Sequence, residues 1–181
     1  MLRKIFLAAF IAAGLGLTLP CASGQPSPPA SEETKTRPDK RETLDWMRSA
    51  GRMTPAQQNS RLETIEKGQA DSKTPRSDFT FCMGLAHLGS PKAQVCVARA
   101  YEHGIGIVED LAEAYAWYTI ALENSAKDAA ARERLQAEQD RIVLRLHSAY
   151  PAPTEEELED LVRTGKNRIS QYQEELKKAR K

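Results

Sequence analysis

Helix boundaries recur in this sequence at an interval of 36 residues. The aligned pairs are helix starts, helix ends and one large aromatic position: Thr54 with Ser90, Gly68 with Gly104, Thr74 with Asp110, Phe81 with Trp117 and Gly89 with Ser125. A period of about 20–50 residues with helical punctuation is typical of an α-solenoid, in which helix pairs stack along one direction. We therefore predict an all-α fold with about two helix-turn-helix repeats. Folds of this kind usually bind other macromolecules rather than catalyse.

The N-terminal residues have the organisation of a secretory signal. Arg3 and Lys4 precede an apolar run from Ile5 to Leu19. This run is shorter than the ~20 residues that a membrane-spanning helix needs, and no second apolar run follows it. We expect the chain to be exported and then cleaved.

The cleavage point has two interpretations, and the sequence leaves both open. The small residues at 22–24 form a signal-peptidase site, which would make 1–24 a cleaved signal peptide. Alternatively, the segment ending in Cys21 is an imperfect bacterial lipobox, which would make 1–20 a lipoprotein signal and Cys21 the lipid anchor. The protein would then be either periplasmic or a membrane-anchored lipoprotein of the bacterial cell envelope.

Residues 25–40 are predicted to form a disordered tether. They are rich in Pro, Ser, Glu and Lys and lack large apolar side chains. Such a segment cannot bury enough apolar surface to offset the entropy lost on ordering. The roughly 140 residues that follow suffice for one small domain.

The charge of the chain argues against nucleic acid as the main partner. The formal net charge is +1, and loss of Arg3 and Lys4 with the signal would bring it to about −1. Proteins bind the phosphate backbone of nucleic acids through basic surfaces, often with interleaved aromatic residues. No such basic stripe is present in this sequence.

Two cysteines, Cys82 and Cys96, remain in the folded part. They are equidistant from residue 89, which lies in a predicted turn, so an antiparallel helix pair would bring them together. An even cysteine count in an exported protein favours a disulfide. The alternative is two small buried thiols in a helix seam. Two cysteines cannot complete a zinc shell, and they lack the Cys-x-x-Cys spacing of redox proteins.

Caps and apolar periodicity predict helices throughout the chain after residue 40. Helix starts are expected where Ser, Thr or Asp precedes an apolar run, and helix ends where glycine follows one. The predicted starts are Thr54, Thr74, Ser90, Asp110, Ser125 and Thr154, and the predicted ends are Gly51, Gly68, Gly89 and Gly104. Gly68 is expected to adopt the left-handed conformation of a helix C-cap.

Two longer, highly charged helices are predicted in 129–181. The second begins after Thr154 and carries Gly165 on its apolar seam, where the missing side chain allows close approach of a neighbour. Terminal repeats of a solenoid need a polar outer face. We therefore expect 129–181 to form a long antiparallel helical hairpin that caps the open end of the stack.

The unit 93–128 resembles the Sel-one-like repeat, a relative of the tetratricopeptide repeat. The matching positions are Ala93, Val97-Ala98, Tyr101, Gly104-Ile105-Gly106-Ile107, Asp110, Ala114, Trp117-Tyr118 and Ala121-Leu122. The preceding unit, 57–92, is a degenerate copy, and the whole repeat region is assigned to 41–128. Physical roles can be given for these residues: the alanines allow close helix approach, the large aromatics fill space between units, and Asp110 caps a helix.

The resemblance implies a right-handed superhelix with a concave protein-binding face. Exported bacterial members of the family look like adaptors or scaffolds. By the geometry of the family, Arg99 and Glu102 are candidates for the concave face and hence for contact with a protein partner.

No catalytic, cofactor-binding or metal-binding residues are predicted. His87, His103 and His147 are not spaced with carboxylates or cysteines as a metal cluster, and His87 and His103 lie where a helix C-terminus favours a cation. No serine lies in a nucleophile-elbow pattern. Gly104 and Gly106 follow a helix and lack the third glycine of a dinucleotide loop.

We therefore expect a non-enzymatic protein–protein adaptor at the cell envelope. One alternative is a structural envelope lipoprotein that forms a homodimer through its C-terminal helices. A β-lactamase-like hydrolase or a redox protein is a weaker alternative, because the chain has few cysteines and no Ser-x-x-Lys motif.

Overall fold

The structure, a computed structural model, describes residues 38–68, 73–125, 128–149 and 151–179. These residues form seven α-helices and no β-strand. The helices are α1 Lys40–Gly51, α2 Pro55–Gly68, α3 Pro75–His87, α4 Pro91–His103, α5 Leu111–Asn124, α6 Ala129–Ser148 and α7 Glu155–Lys178. The predicted signal, Cys21 and nearly all of the predicted tether lie outside the described residues.

The predicted fold class is confirmed. Helices α3, α4, α5 and α6 pack in succession, each along the next one in the chain. This helix-turn-helix packing is consistent with an α-solenoid-like arrangement. One main apolar core runs through these helices and takes in the alanines and aromatic residues of the clear repeat.

Side-chain caps mark four of the helix starts that the sequence predicted, at Thr54, Ser90, Asp110 and Thr154, whereas Thr74 precedes α3 without a side-chain cap. At the start of α2 the Thr54 backbone N–H donates to Gln57 Oε1 at 2.9 Å, and the Gln57 N–H donates to Thr54 Oγ1 at 3.3 Å. Thr154 and Glu157 form the same reciprocal capping box at the start of α7. These bonds satisfy N–H groups that have no partner inside the helix, which is why this short pattern predicts helix starts well.

Two predicted boundaries differ in the structure. Helix α6 is capped by Asp128, whose Oδ1 accepts from the Ala131 N–H at 3.0 Å, whereas Ser125 is the C-cap of α5. Gly68 closes α2 without a left-handed φ. Its backbone is still helical, so the reversal of direction that a left-handed cap provides does not occur at this residue.

The degenerate repeat is packed differently from the clear one. Helix α4 packs along α5, but α3 packs along α1 rather than along α2. A Cβ on Gly84 would lie 2.7 Å from the Trp46 carbonyl oxygen, so this crossing of α1 and α3 depends on a glycine. Only Leu62 and Ile65 of α2 are buried, and this helix contacts α4. Helix α2 is therefore attached by a narrow apolar stripe.

The two C-terminal helices do not pack lengthwise on each other, which corrects the predicted hairpin. Each packs along α5 instead. Ala116 and Ile120 of α5 face Val162 of α7, whereas Leu135 and Ile142 of α6 join the main core. Gly165 lies against Ile120, to which a Cβ would come within 3.1 Å. The reason is that α5 is apolar on more than one side, so both charged helices can bury their seams on it.

Gly106 holds the loop of the clear repeat against the start of α3. Gly104 and Gly106 have φ of 65° and 73°. A Cβ on Gly106 would lie 2.3 Å from the carbonyl oxygen of Pro75, and Arg76 Nη1 donates to the Gly106 oxygen at 3.2 Å. The glycine therefore serves both a left-handed backbone and a close approach between chain segments.

Replacing Gly106 with alanine is expected to lower the free energy of unfolding by at least about 2 kcal/mol, because it adds backbone strain and a backbone clash. The matched control is Gly68→Ala, whose Cβ would meet nothing within 4 Å. We expect this control to stay within about 1 kcal/mol of the parent. Urea unfolding followed by circular dichroism measures both values, and equal effects would contradict the assigned role of Gly106.

The predicted disulfide is present. Cys82 of α3 and Cys96 of α4 are joined, with their Cα atoms 6.0 Å apart. Both side chains are buried, and the bond encloses the turn between the two helices. The symmetry of the two cysteines about residue 89 therefore predicted the contact correctly.

Removing this disulfide through the double change Cys82→Ala and Cys96→Ala is expected to lower the free energy of unfolding by about 3 kcal/mol. The physical reason in the chain-entropy model is that the unfolded chain regains the freedom of a loop spanning 14 positions. Urea denaturation of the oxidised parent and the double variant gives the difference. An unchanged unfolding midpoint would mean that the disulfide contributes no stability.

Candidate functional site

The residues of the repeat motif lie in the core. Ala93, Ala114, Tyr118 and Ala121 are fully buried, and Tyr101 and Trp117 are nearly so. Tyr101 packs edge-on against Phe79, with ring centroids 5.7 Å apart. Asp110 caps α5 by accepting from the Glu113 N–H at 3.0 Å. These side chains build the scaffold, so a site for a partner has to be sought among other residues.

Helices α2, α4 and α6 are linked side by side by ion pairs, and we call their outer surface the α2–α4–α6 face. Arg99 of α4 lies at its centre. Its Nη1 is 3.3 Å from Glu66 of α2, and its Nη2 is 3.9 Å from Glu138 of α6. A further pair joins Lys92 to Glu63 at 4.0 Å. The result is a polar surface with charges of alternating sign.

Glu102 of α4 is the one residue of the predicted contact pair that the structure buries. Its side chain is 1% exposed. Tyr118 donates its hydroxyl to Oε2 at 3.0 Å, Arg141 Nη2 lies 2.9 Å from Oε1, and Arg145 Nη1 lies 3.2 Å from Oε1. The carboxylate is thus used inside the chain, which corrects its assignment as a partner contact. Arg99 is 32% exposed and stays a candidate.

The two arginines at Glu102 come from the next helix in the face. Arg141 and Arg145 of α6 are 49% and 40% exposed, so each reaches inward from the surface. Burial, followed by the negative charge of Glu102, raises the pKa of Tyr118 above its ordinary value. The phenol therefore stays protonated and can donate to Glu102. This cluster connects α4, α5 and α6 through a single carboxylate.

Replacing Glu102 with glutamine is expected to lower the free energy of unfolding by about 2 kcal/mol. The change removes a buried charge with three partners, and the partial exposure of both arginines keeps the loss below that of a fully buried pair. The exposed Glu66→Gln is the matched control and should cost less than about 0.5 kcal/mol. Chemical denaturation compares the two variants, and equal losses would contradict a special role for Glu102.

A shallow groove of about 470 Å³ lies at the end of this face. Leu111, Leu144 and Ala149 give it apolar walls, and Arg141 and Arg145 stand at its rim. The side chain of Leu144 is 70% exposed. The face therefore combines a charged centre with an apolar end.

The opposite side of the helix stack, formed by α1, α3 and α5, is covered by α7. Helix α7 contacts all three helices. Tyr172 and Leu176 pack on Met47 of α1, and Gln173 Nε2 donates to the His87 carbonyl oxygen at 2.9 Å. This side of the molecule is consequently occupied by the protein itself.

His87 lies beneath α7 and is 4% exposed. Its ring packs edge-on against Trp117 at 5.4 Å and tilted against Tyr172 at 5.1 Å. Nδ1 has no hydrogen-bond partner among the described residues. Burial, aided by the nearby charge of Arg168, lowers the pKa of His87 to about 4. The residue is therefore neutral near pH 7, which corrects the expectation of a cation at this helix end, whereas the side chain of His103 is 50% exposed.

Sequence reasoning missed both His87 and the cluster at Glu102. For His87 a signal existed, because Phe79, Met83 and His87 follow each other at intervals of four and so share one buried helix side. For Glu102 no local sequence pattern could have predicted the cluster, because Arg141 and Arg145 lie 39 and 43 positions further along the chain.

Across the described ranges no group of three or more His, Cys, Asp or Glu residues is arranged to hold a metal ion. None of the described helices is both long and apolar enough to span a membrane. The structure defines an all-helical protein with α-solenoid-like packing. No protein-family model matches the sequence, and no curated protein or solved structure is significantly similar to it.

Proposed function

We propose that this protein is an exported bacterial adaptor of the Sel-one-like repeat type, which binds a protein partner through its α2–α4–α6 face. The family assignment is supported by the dense match of motif residues over 93–122. The burial of those residues agrees with the structural roles that the motif requires. An adaptor needs a stable scaffold and an accessible surface, and the two are formed here by different residues.

The observation that carries the choice of face is the position of α7. This helix covers the side formed by α1, α3 and α5. The α2–α4–α6 face is therefore the side that stays accessible to an extended partner. Arg99 at the centre and Leu144 at the end are accessible there. A charged surface of both signs with an apolar end suits a protein partner, because charges set orientation and apolar contacts add affinity.

The structural homodimer has less support. Its contact was expected from the apolar seam of the last helix, but Leu158, Val162, Tyr172 and Leu176 of that seam are buried within the same chain. A dimer through α7 would need this helix to leave its own protomer. The redox alternative likewise has little support, since both cysteines of the described residues are bonded and buried.

Photocrosslinking in the native bacterium tests the adaptor proposal. A photoreactive residue is placed at Lys92 or Leu144 on the face, and at Arg163 or Lys177 on the outer surface of α7 as matched controls. The side chains of Lys92, Arg163 and Lys177 are 64%, 69% and 70% exposed, and Leu144 is 70% exposed. We expect one recurrent envelope protein to be captured from the face positions and not from α7.

Other outcomes would count against the proposal. Self-crosslinks that arise only from Arg163 and Lys177 would favour the structural dimer, and equal capture from all four positions would contradict a specific face. Mass spectrometry of the same material identifies the mature N-terminus. A lipid-modified Cys21 or a free Gln25 supports export, whereas an intact Met1 contradicts it.

A further inference from the structure

The C-terminal half of α7 is held more lightly than its N-terminal half. We call residues 168–178 the strap. Tyr172 and Leu176 of the strap form a small apolar cluster with Met47 that is separate from the main core, and Ile169, the other large apolar residue of the strap, is only partly buried where it packs on that core. The N-terminal half instead joins the main core through Leu158 and packs on α5 through Val162. Segments with few buried apolar contacts open at low free-energy cost, so the strap can open without the rest of the fold.

The polar contacts of the strap are few and mostly exposed. Gln173 donates to the His87 carbonyl oxygen, Glu175 pairs with Lys40 at the start of α1, and Arg168 lies 3.9 Å from Glu113 of α5. Lys40 and Glu175 are 57% and 38% exposed, and pairs of this kind contribute little stability. The strap is therefore secured mainly by the packing of Tyr172 and Leu176 on Met47 and by the packing of Tyr172 against the imidazole of His87.

His87 lies where the strap, α3 and α5 meet. The charged and titratable groups nearest to it are Arg168 and Tyr172 from α7, and Arg168 in turn lies 3.9 Å from Glu113 of α5. A protonated imidazole needs acceptors for two N–H groups, but Nδ1 faces none among the described residues. Adding a proton would also place a second cation near Arg168.

We propose that the strap is an acid-released lid: protonation of His87 frees residues 168–178 from α1 and α3 and uncovers the apolar surface around Met47. The disulfide-linked helices and the N-terminal half of α7 stay folded. This inference does not depend on the identity of any partner.

The direction of the effect follows from the imidazole. The pKa of His87 is about 4 when the strap is closed, and exposure of the ring on opening moves it toward the ordinary histidine value of 6.5. The contact is therefore at full strength above pH 6.5 and weakens as the pH falls toward 4. The equilibrium between closed and open strap shifts by up to about tenfold per pH unit across this interval, and by at most about 300-fold in all.

Hydrogen exchange of the purified, oxidised protein tests the lid. Protection factors, which correct for the effect of pH on the intrinsic exchange rate, are measured for peptides of the strap, of 155–165 and of α5 from about pH 7 to about pH 4. We expect the strap alone to lose protection, by up to about tenfold per pH unit below 6.5. The ring protons of His87, followed by NMR, should titrate over the same interval.

Three variants distinguish protonation of His87 from other acid-dependent changes as the cause of strap opening. His87→Phe keeps an aromatic ring without a proton to gain, so its strap should keep constant protection relative to α5. His103→Gln, at an exposed histidine, and Glu175→Gln, in the surface pair, should retain the acid response. The inference is wrong if His87→Phe responds like the parent, or if α5 loses protection together with the strap. If His87→Phe does not fold, an NMR midpoint for His87 that differs from that of strap opening in the parent overturns it equally.

Discussion

The arrangement of this molecule depends on the burial of α5 on several sides at once. Helix α5 packs along α4, α6 and α7. Trp117, Tyr118 and Ala121 face the main core, whereas Ala116 and Ile120 face α7. A helix that is apolar on several sides has to be covered on each of them, because each exposed large side chain forgoes roughly 1.5–3 kcal/mol of burial. The two charged helices at the C-terminal side supply that cover, and their own polar surfaces face the solvent.

Features that depend on neighbouring residues were predictable from the sequence. The capping boxes at Thr54 and Thr154 were among them, and so was the disulfide, whose cysteines are symmetric about a turn. Each of these is set by residues a few positions apart or by one reversal of the chain. The left-handed cap expected at Gly68 was wrong, since glycine permits that conformation without requiring it.

Features that depend on distant residues were not predictable in the same way. The seams of α6 and α7 have the spacing of a hairpin, but the same spacing serves equally for packing on α5. Glu102 was expected on the concave face from the geometry of the repeat family, yet two arginines of α6 allow it to be buried. A sequence pattern identifies the side of a helix that is covered, but the identity of the covering helix is decided by the packing of the whole chain.

The packing of the strap on α1 has a consequence for the order in which the chain can fold. Helices α3, α4 and α5 make contacts between neighbours in sequence and can pack together before the rest of the chain is in place. Met47 of the first described helix, by contrast, is covered by Tyr172 and Leu176 of the last one. The apolar side of α1 therefore stays exposed to solvent until nearly the whole chain is available for folding. Any factor that shields α1 during biogenesis would have to give way to the protein's own final helix.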